Sequence, residues 1–375
     1  MSRRSALLAE ALATGIALLV AMAVASLLIL LYGQSPGRVY ALMLEGTFGS
    51  GYGLGQVLFK ATPLLLCGLS VALAFRAGLF NIGAEGQVIA GAFACAVVGV
   101  YLPAGMPAPL AIGITVLVAV AAGAFVGFIP GLLRAWTGAH EVINTLMLNF
   151  IVQAVLEHAG RRLFVPESMH TPPVIDAARL GRLGDVLTPL HGSAANNSLL
   201  LAGVVALLVW LLLFRTRAGL RLRALGLSPP AAECAGVRVG LTWIGAMTLA
   251  GGLAGLCGAN AVLGYKGYYE SGFSGGVGFM GIAVALLGRN HPAGVVLAAL
   301  LFGFLSQGAL AINALVPKEL IEVLQAVIIL ALAAASGEVR RLLARAFGRR
   351  AGASADASAG AGSAGGVAAS ATEAP

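Results

Sequence analysis

Apolar runs of roughly twenty residues recur along almost the whole chain, and no other feature restricts its fold as severely. A helix of that length spans the hydrocarbon core of a bilayer. Only a helix or a closed barrel satisfies every backbone amide there. In order, the runs fall at 11–33, 59–76, 86–103, 109–131, 142–158, 198–214, 240–263, 275–288, 292–313 and 320–336. They predict an all-α, polytopic transmembrane helical bundle of about ten spans. Composition agrees, with 59% hydrophobic and only 10% charged residues, against about 25% charged in a soluble domain. Met1-Ser2-Arg3-Arg4 before the first run imitates a signal peptide. That run is too long for a signal and continues past any small-residue cleavage site, so it reads as an uncleaved first span.

Lys and Arg set the orientation, since they concentrate in cytoplasmic loops. With the N-terminus inside and ten spans, fifteen of the 23 cations fall in inside loops: Arg3, Arg4, Arg76, Arg134, Arg215, Arg217, Arg221, Arg223, Arg238, Arg289, Arg340, Arg341, Arg345, Arg349 and Arg350. Seven fall outside: Arg38, Arg161, Arg162, Arg179, Arg182, Lys266 and Lys318, with Lys60 at a span edge. The net charge of +8 is thereby explained without nucleic acid. Both termini are expected in the cytoplasm. Residues 1–350 form the membrane domain, with a polar outside loop at 159–197. Residues 351–375, rich in Ala, Gly and Ser, read as a disordered tail. Many of the 52 glycines lie inside apolar runs, where small residues let helix backbones approach closely. Cys67, Cys95, Cys234 and Cys257 have no metal-ligand spacing and read as inert small hydrophobes.

Four segments break the apolar pattern. Arg76-Ala-Gly-Leu-Phe-Asn-Ile-Gly-Ala-Glu-Gly-Gln87 sets Phe80, Asn81, Glu85 and Gln87 among glycines between the second and third runs. It is either an ordinary cytoplasmic turn or a broken helix whose polar groups line a water-filled path. Residues 264–281, containing Gly276, interrupt the chain between the seventh and eighth runs. In a five-plus-five division the two breaks correspond, the pattern of an inverted repeat. The first then lies toward the cytoplasm and the second toward the outside, as constrictions on one path. The third segment places Glu141, Asn144 and Asn149 at the start of the fifth run. Those side chains serve either a polar bundle interior or, for Glu141, the helix dipole. The fourth, 215–238, holds Arg221 and Arg223, then Ser228 before Pro229-Pro230 as a helix cap, then Ala231, Ala232, Glu233 and Gly236. It suits either docking into a partner's groove or a plain positive-inside anchor.

Phe80-Asn-Ile-Gly-Ala-Glu-Gly-Gln87, Glu141-Val-Ile-Asn-Thr-Leu-Met-Leu-Asn149 and Gly281-Ile-Ala-Val-Ala-Leu-Leu-Gly-Arg-Asn-His-Pro-Ala-Gly294 together resemble the nucleoside/simple-sugar branch of ABC importer permeases. That branch belongs to a larger group containing ribose and branched-chain amino acid permeases. The stretch Arg223-Ala-Leu-Gly226, with Ala231-Ala232 and Gly236-Val237, resembles the family's ATPase-contacting loop. The match covers about residues 40–336. It implies a bacterial inner-membrane permease subunit working with a second permease, a separate cytoplasmic ATPase and an extracytoplasmic binding protein. The resemblance favours a nucleoside over a ribose-type sugar and implies no cofactor of the chain's own, ATP being used by the partner.

Two other classes share the polytopic pattern or the scattered polar residues. A secondary transporter needs a buried ionisable relay, for which only Glu85, Glu141 and Glu322 stand near. An enzyme needs a convergent catalytic or metal set. No Walker A, Gly-x-Ser-x-Gly or His-Glu-x-x-His motif is present, and the five histidines are scattered.

Overall fold

The computed structural model describes residues 19–317 together with 322, 323, 326 and 327. They fall into two units, one holding α1 (Leu19–Leu31) and the other running over Ser35–Lys318. The expected tenth span, 320–336, lies almost wholly outside the described residues.

Among the described residues the second unit is helical, with no strand and two isolated bridges. Its helices are α2 (Pro36–Phe48), α3 (Gly51–Arg76), α4 (Ala84–Tyr101), α5 (Ala108–Thr137), α6 (Glu141–Gly160), α7 (Ser198–Arg215), α8 (Arg217–Leu227), α9 (Pro229–Cys234), α10 (Val239–Gly255), α11 (Val277–Leu287) and α12 (Pro292–Ile312). Counting α10 with the wide-turned helix that continues it to Lys266, seven helices among the described residues are long and apolar enough to cross a membrane. α11 has eleven residues, about 17 Å of helix, and is too short to span alone.

Local chemistry fixes the helix starts. Ser50 accepts from the Gly53 amide, Thr216 from Gly219 and Ser228 from Ala231, each closing the first turn. Pro36 and Pro229 occupy first-turn positions, where a missing N–H costs nothing. The helix that Ser228 caps is therefore the one its sequence predicts.

Close backbone approach holds the middle of the bundle. Gly123 and Gly127 of α5 face Gly251 and Gly255 of α10. A methyl group added at Gly123 would collide with the Gly251 carbonyl oxygen, and one added at Gly251 with that of Gly123. Both helices carry small residues every fourth position, the spacing that brings two helical backbones together in lipid. Leu117, Phe125, Leu207 and Leu208 point outward and are exposed. That is the inside-out distribution of a membrane protein.

The 159–197 loop is more ordered than its polar composition suggests. Three short 3-10 turns run through it. Thr171 and Val174 donate to the carbonyls of Tyr269 and Gly267, and Leu180 to Leu263, so the loop lies strapped along the second break. Tyr269 is buried there with edge-on contacts to Phe93 and Phe273.

Candidate functional site

Between Arg76 and Ala84 the chain turns through seven residues, and Gly78 takes φ +74°. The turn is not a solvated one. Leu79, Asn81 and Gln87 are fully buried. The amides of Asn81 and Gln87 exchange two hydrogen bonds of 2.9 and 3.1 Å, and Asn81 also donates to Ser70 Oγ at 3.2 Å. Ser70 in turn donates to the Ala250 carbonyl at 2.6 Å, tying the knot to α10. Asn149 on α6 completes it, accepting from the Gly86 amide at 2.9 Å and donating to the Ile82 carbonyl at 3.0 Å. A buried network of this kind stabilises only when nearly every group is paired, and here the pairing is close to full.

Glu85 joins the first break to the second. Its carboxylate accepts from the Gly276 amide at 3.2 Å and the Gly278 amide at 2.7 Å. Gly276 takes φ +81°, and a methyl group on Gly278 would strike the Glu85 backbone. The carboxylate thus caps α11 from another part of the chain while standing in the first turn of α4. Two electropositive helix ends meet at one acidic group. The two breaks, expected as constrictions on one path, are in direct contact.

The remaining predicted residues separate. Phe80 is partly exposed and stacks edge-on against Phe75, 4.7 Å between centroids. Glu141 is buried but faces Arg134 at 3.5 Å rather than the break, and Arg134 lies over the Trp243 ring. Asn144 is half-buried, its Nδ2 without a hydrogen-bond partner among the described residues. In the 215–238 segment Arg221, Ala231, Glu233 and Gly236 are exposed. Ala232 is buried, and Arg223 folds inward over the Phe214 ring, 5.2 Å away. Arg76 lies over the same ring at 5.7 Å and donates to the Asn290 carbonyl at 2.9 Å. Gly226 on α8 packs against the Arg76–Gly78 backbone so closely that a methyl group on it would strike the Arg76 carbonyl oxygen. α8 therefore rests directly on the first break. All four cysteines are free thiols, three of them buried.

Lys60, expected at a span edge, and Asn260, which the sequence does not single out, both stand inside the bundle. The apolar run begins at 59, but α3 begins at Gly51, so Lys60 lies inside the helix and not at a span edge. It donates to the Ser306 carbonyl on α12 at 3.0 Å. A lysine at the centre of a lipid-embedded helix costs about 3 kcal/mol or more unless it faces protein or water. Asn260 is buried, accepts from Asn196 and Ser198, and donates to the Phe59 carbonyl at 3.4 Å. That carbonyl lacks its ordinary intrahelical donor because Pro63 stands four residues on. Pro63 was the available signal.

Residues 53–333 match the family model described as the permease component of the branched-chain amino acid transport system. The guanosine ABC transporter permease protein NupP of Bacillus subtilis is 38% identical over 84% of this chain and 90% of its own length. The nucleoside ABC transporter permease protein NupB of Lactococcus lactis is 35% identical over 84% and 88%. The glucose ABC transporter permease protein TsgB13 of Haloferax volcanii is 34% identical over 88% and 89%. No solved structure matches the chain. With its multi-pass helical fold and its ordered motifs, the chain belongs to the permease family of the branched-chain amino acid transport system.

Proposed function

We propose that this chain is the membrane-spanning subunit of an ATP-driven importer for nucleosides in the bacterial inner membrane. The observation that carries the proposal is the 38% and 35% identity, over more than four fifths of the chain, to permeases named for guanosine and for nucleosides. A sugar-permease reading has the support of relatives at 34% and 30%. ATP is hydrolysed by a separate ATPase subunit, substrate arrives on an extracytoplasmic binding protein, and a second permease completes the pore. The proposed topology has ten spans in two inverted halves, with both termini cytoplasmic.

In this reading the helix ends bearing Arg76, Arg134, Arg215, Arg238 and Arg289 face the cytoplasm, together with α8 and α9. Arg221, Ala231, Glu233 and Gly236 then meet the ATPase, while Arg223 and Ala232 hold the docking helices onto the bundle. Movement of α8 is passed through the Gly226–Gly78 contact to the joint at Glu85. Phe80, Asn81, Glu85, Gln87, Asn149 and Gly276 form that joint beside the solute path, and Glu141 and Asn144 brace its cytoplasmic edge.

The test is uptake in proteoliposomes containing the chain with its genomic-neighbour ATPase, second permease and binding protein. Radiolabelled guanosine should accumulate with ATP inside and not without it, and excess glucose should not compete. Uptake of glucose in preference to guanosine would replace the nucleoside reading with the sugar one.

A further inference from the structure

A half-open cavity of about 290 Å³ lies between α3, α12 and the second break. Its walls carry Phe59, Lys60, Asn260, Phe273, Ser274 and Ser306. Three of the segments bordering it depart from regular helix. Pro63 interrupts the α3 ladder, Ala259–Lys266 winds as a π-helix, and Gly275 and Gly276 both take positive φ. Insertions that widen a helix are frequent at functional sites, and backbone is left irregular at membrane depth only where it lines a cavity or is buried in protein. Lys60 sits about 14 Å from the Gly51 end of α3 and about 24 Å from the Arg76 end, at 1.5 Å per residue. A cation so deep is a mark of a polar pathway.

We propose that this cavity is the station at which the permease holds its solute in transit, and that it takes a nucleoside. The inference rests on the importer reading above. Its two phenylalanines are fixed in place, Phe59 by Tyr265 at 4.9 Å and Phe273 by Tyr269 at 5.6 Å between centroids. Held aromatic faces stack nucleobases without regard to sequence. The Lys60 ammonium and the Ser274 and Ser306 hydroxyls offer donors and acceptors for ribose hydroxyls. The volume lies at the small end of about 300–1,000 Å³ for ligand pockets, enough for one small solute. Gly276, between the lining residues Gly275 and Val277, is held by Glu85, so the joint that α8 rests on also sets the position of one wall.

The experiment uses the full four-component transporter in proteoliposomes, with 8-azidoadenosine as photoprobe and mass-spectrometric mapping of the labelled peptide. Label should fall within residues 57–64 or 257–280, and excess guanosine should remove it. Phe273→Ala should raise the KM for guanosine at least about fivefold, from the loss of one stacking face. Phe273→Tyr should restore it, and Ser306→Trp, which fills the space, should abolish uptake. Binding-protein affinity and membrane insertion should be unchanged in each variant. Failure of wild-type nucleoside uptake overturns the importer reading itself. Normal wild-type uptake with label mapping elsewhere, or with Phe273→Ala and Ser306→Trp both transporting normally, overturns the station alone.

Discussion

The two breaks look alike as sequence, glycines and polar residues set between apolar runs, yet they are built for opposite purposes. At 77–83 the polar side chains turn inward and pair with one another, so that Asn81 and Gln87 are wholly buried and still satisfied. At 259–276 the backbone itself is irregular, a π-helix followed by left-handed glycines, and its side chains border an open cavity. The first is a joint and the second a lining. Burial of a polar group is tolerated only when its hydrogen bonds are made. Substitutions in the first break should therefore cost stability, and those in the second should cost transport.

The most severe test of that contrast is Glu85. Glu85→Ala leaves the Gly276 and Gly278 amides without an acceptor and empties a buried site. Each orphaned donor costs about 1–3 kcal/mol, so a loss of about 3–5 kcal/mol is expected, read as the thermal unfolding midpoint in detergent. Glu85→Gln retains an acceptor and should lose about half as much. An unchanged midpoint in Glu85→Ala would show that the two breaks are not joined.

The Asn81–Gln87 pair comes next. Single alanine replacements should each cost about 2 kcal/mol, because each strands the partner's amide. The double variant should cost clearly less than their sum, with a coupling of about 1–2 kcal/mol as for residues in one buried network. Strict additivity would mean the two amides act separately and the joint is looser than its geometry.

Pro63→Ala sharpens the comparison from the other side. Restoring an N–H lets α3 satisfy the Phe59 carbonyl internally and competes with Asn260 for it. Stability should rise or stay within about 1 kcal/mol, since proline in a membrane helix is already compensated by neighbours. Guanosine uptake should nonetheless fall severalfold. A loss of stability without a loss of uptake would make the kink a packing feature and move the second break into the same class as the first.

How much of this was legible beforehand follows from the same physics. Helix runs read clearly because lipid demands about twenty apolar residues regardless of neighbours. That glycines inside apolar runs mark close helix approach was visible too, though not that Gly123 and Gly127 would meet Gly251 and Gly255. The short helix after Ser228 followed from its cap and two prolines. What stayed hidden was pairing over distance: Glu85 with the Gly276 and Gly278 amides lies nearly two hundred residues apart, and Lys60 with Ser306 still further. Arg223 shows the limit from another side. Its place in a basic loop suggests a docking residue, but not that its guanidinium lies over Phe214, one residue before the end of α7. The 159–197 loop was legible as polar, though not its hydrogen bonds to residues 263–269, which depend on where the chain returns.

The smallest effect belongs to the turn between α11 and α12, and it tests whether the α8 end of the bundle is as closely fitted as the joint. Arg289 and Asn290 there both take positive φ, and His291 caps α12, its Nδ1 accepting from the Ala293 amide at 3.2 Å. Only an unprotonated Nδ1 accepts a hydrogen bond. Burial against Phe214 lowers the His291 pKa from its ordinary value of about 6.5, and the nearby Arg76 guanidinium lowers it further. The folded chain therefore resists a proton that the unfolded chain accepts. Stability is complete above about pH 6.5 and declines as the pH falls from there toward the depressed folded value. Because the ring is only partly buried, solvent screening keeps the loss small, at well under about 1 kcal/mol. His291→Gln cannot gain that proton, so the difference in unfolding midpoint between it and the wild type should shrink as the pH is lowered from 7.5 to 5.5. A difference that stays constant across that interval would show that His291 keeps an ordinary pKa and that this end of the bundle is more open to water than its contacts with Arg76 and Phe214 require.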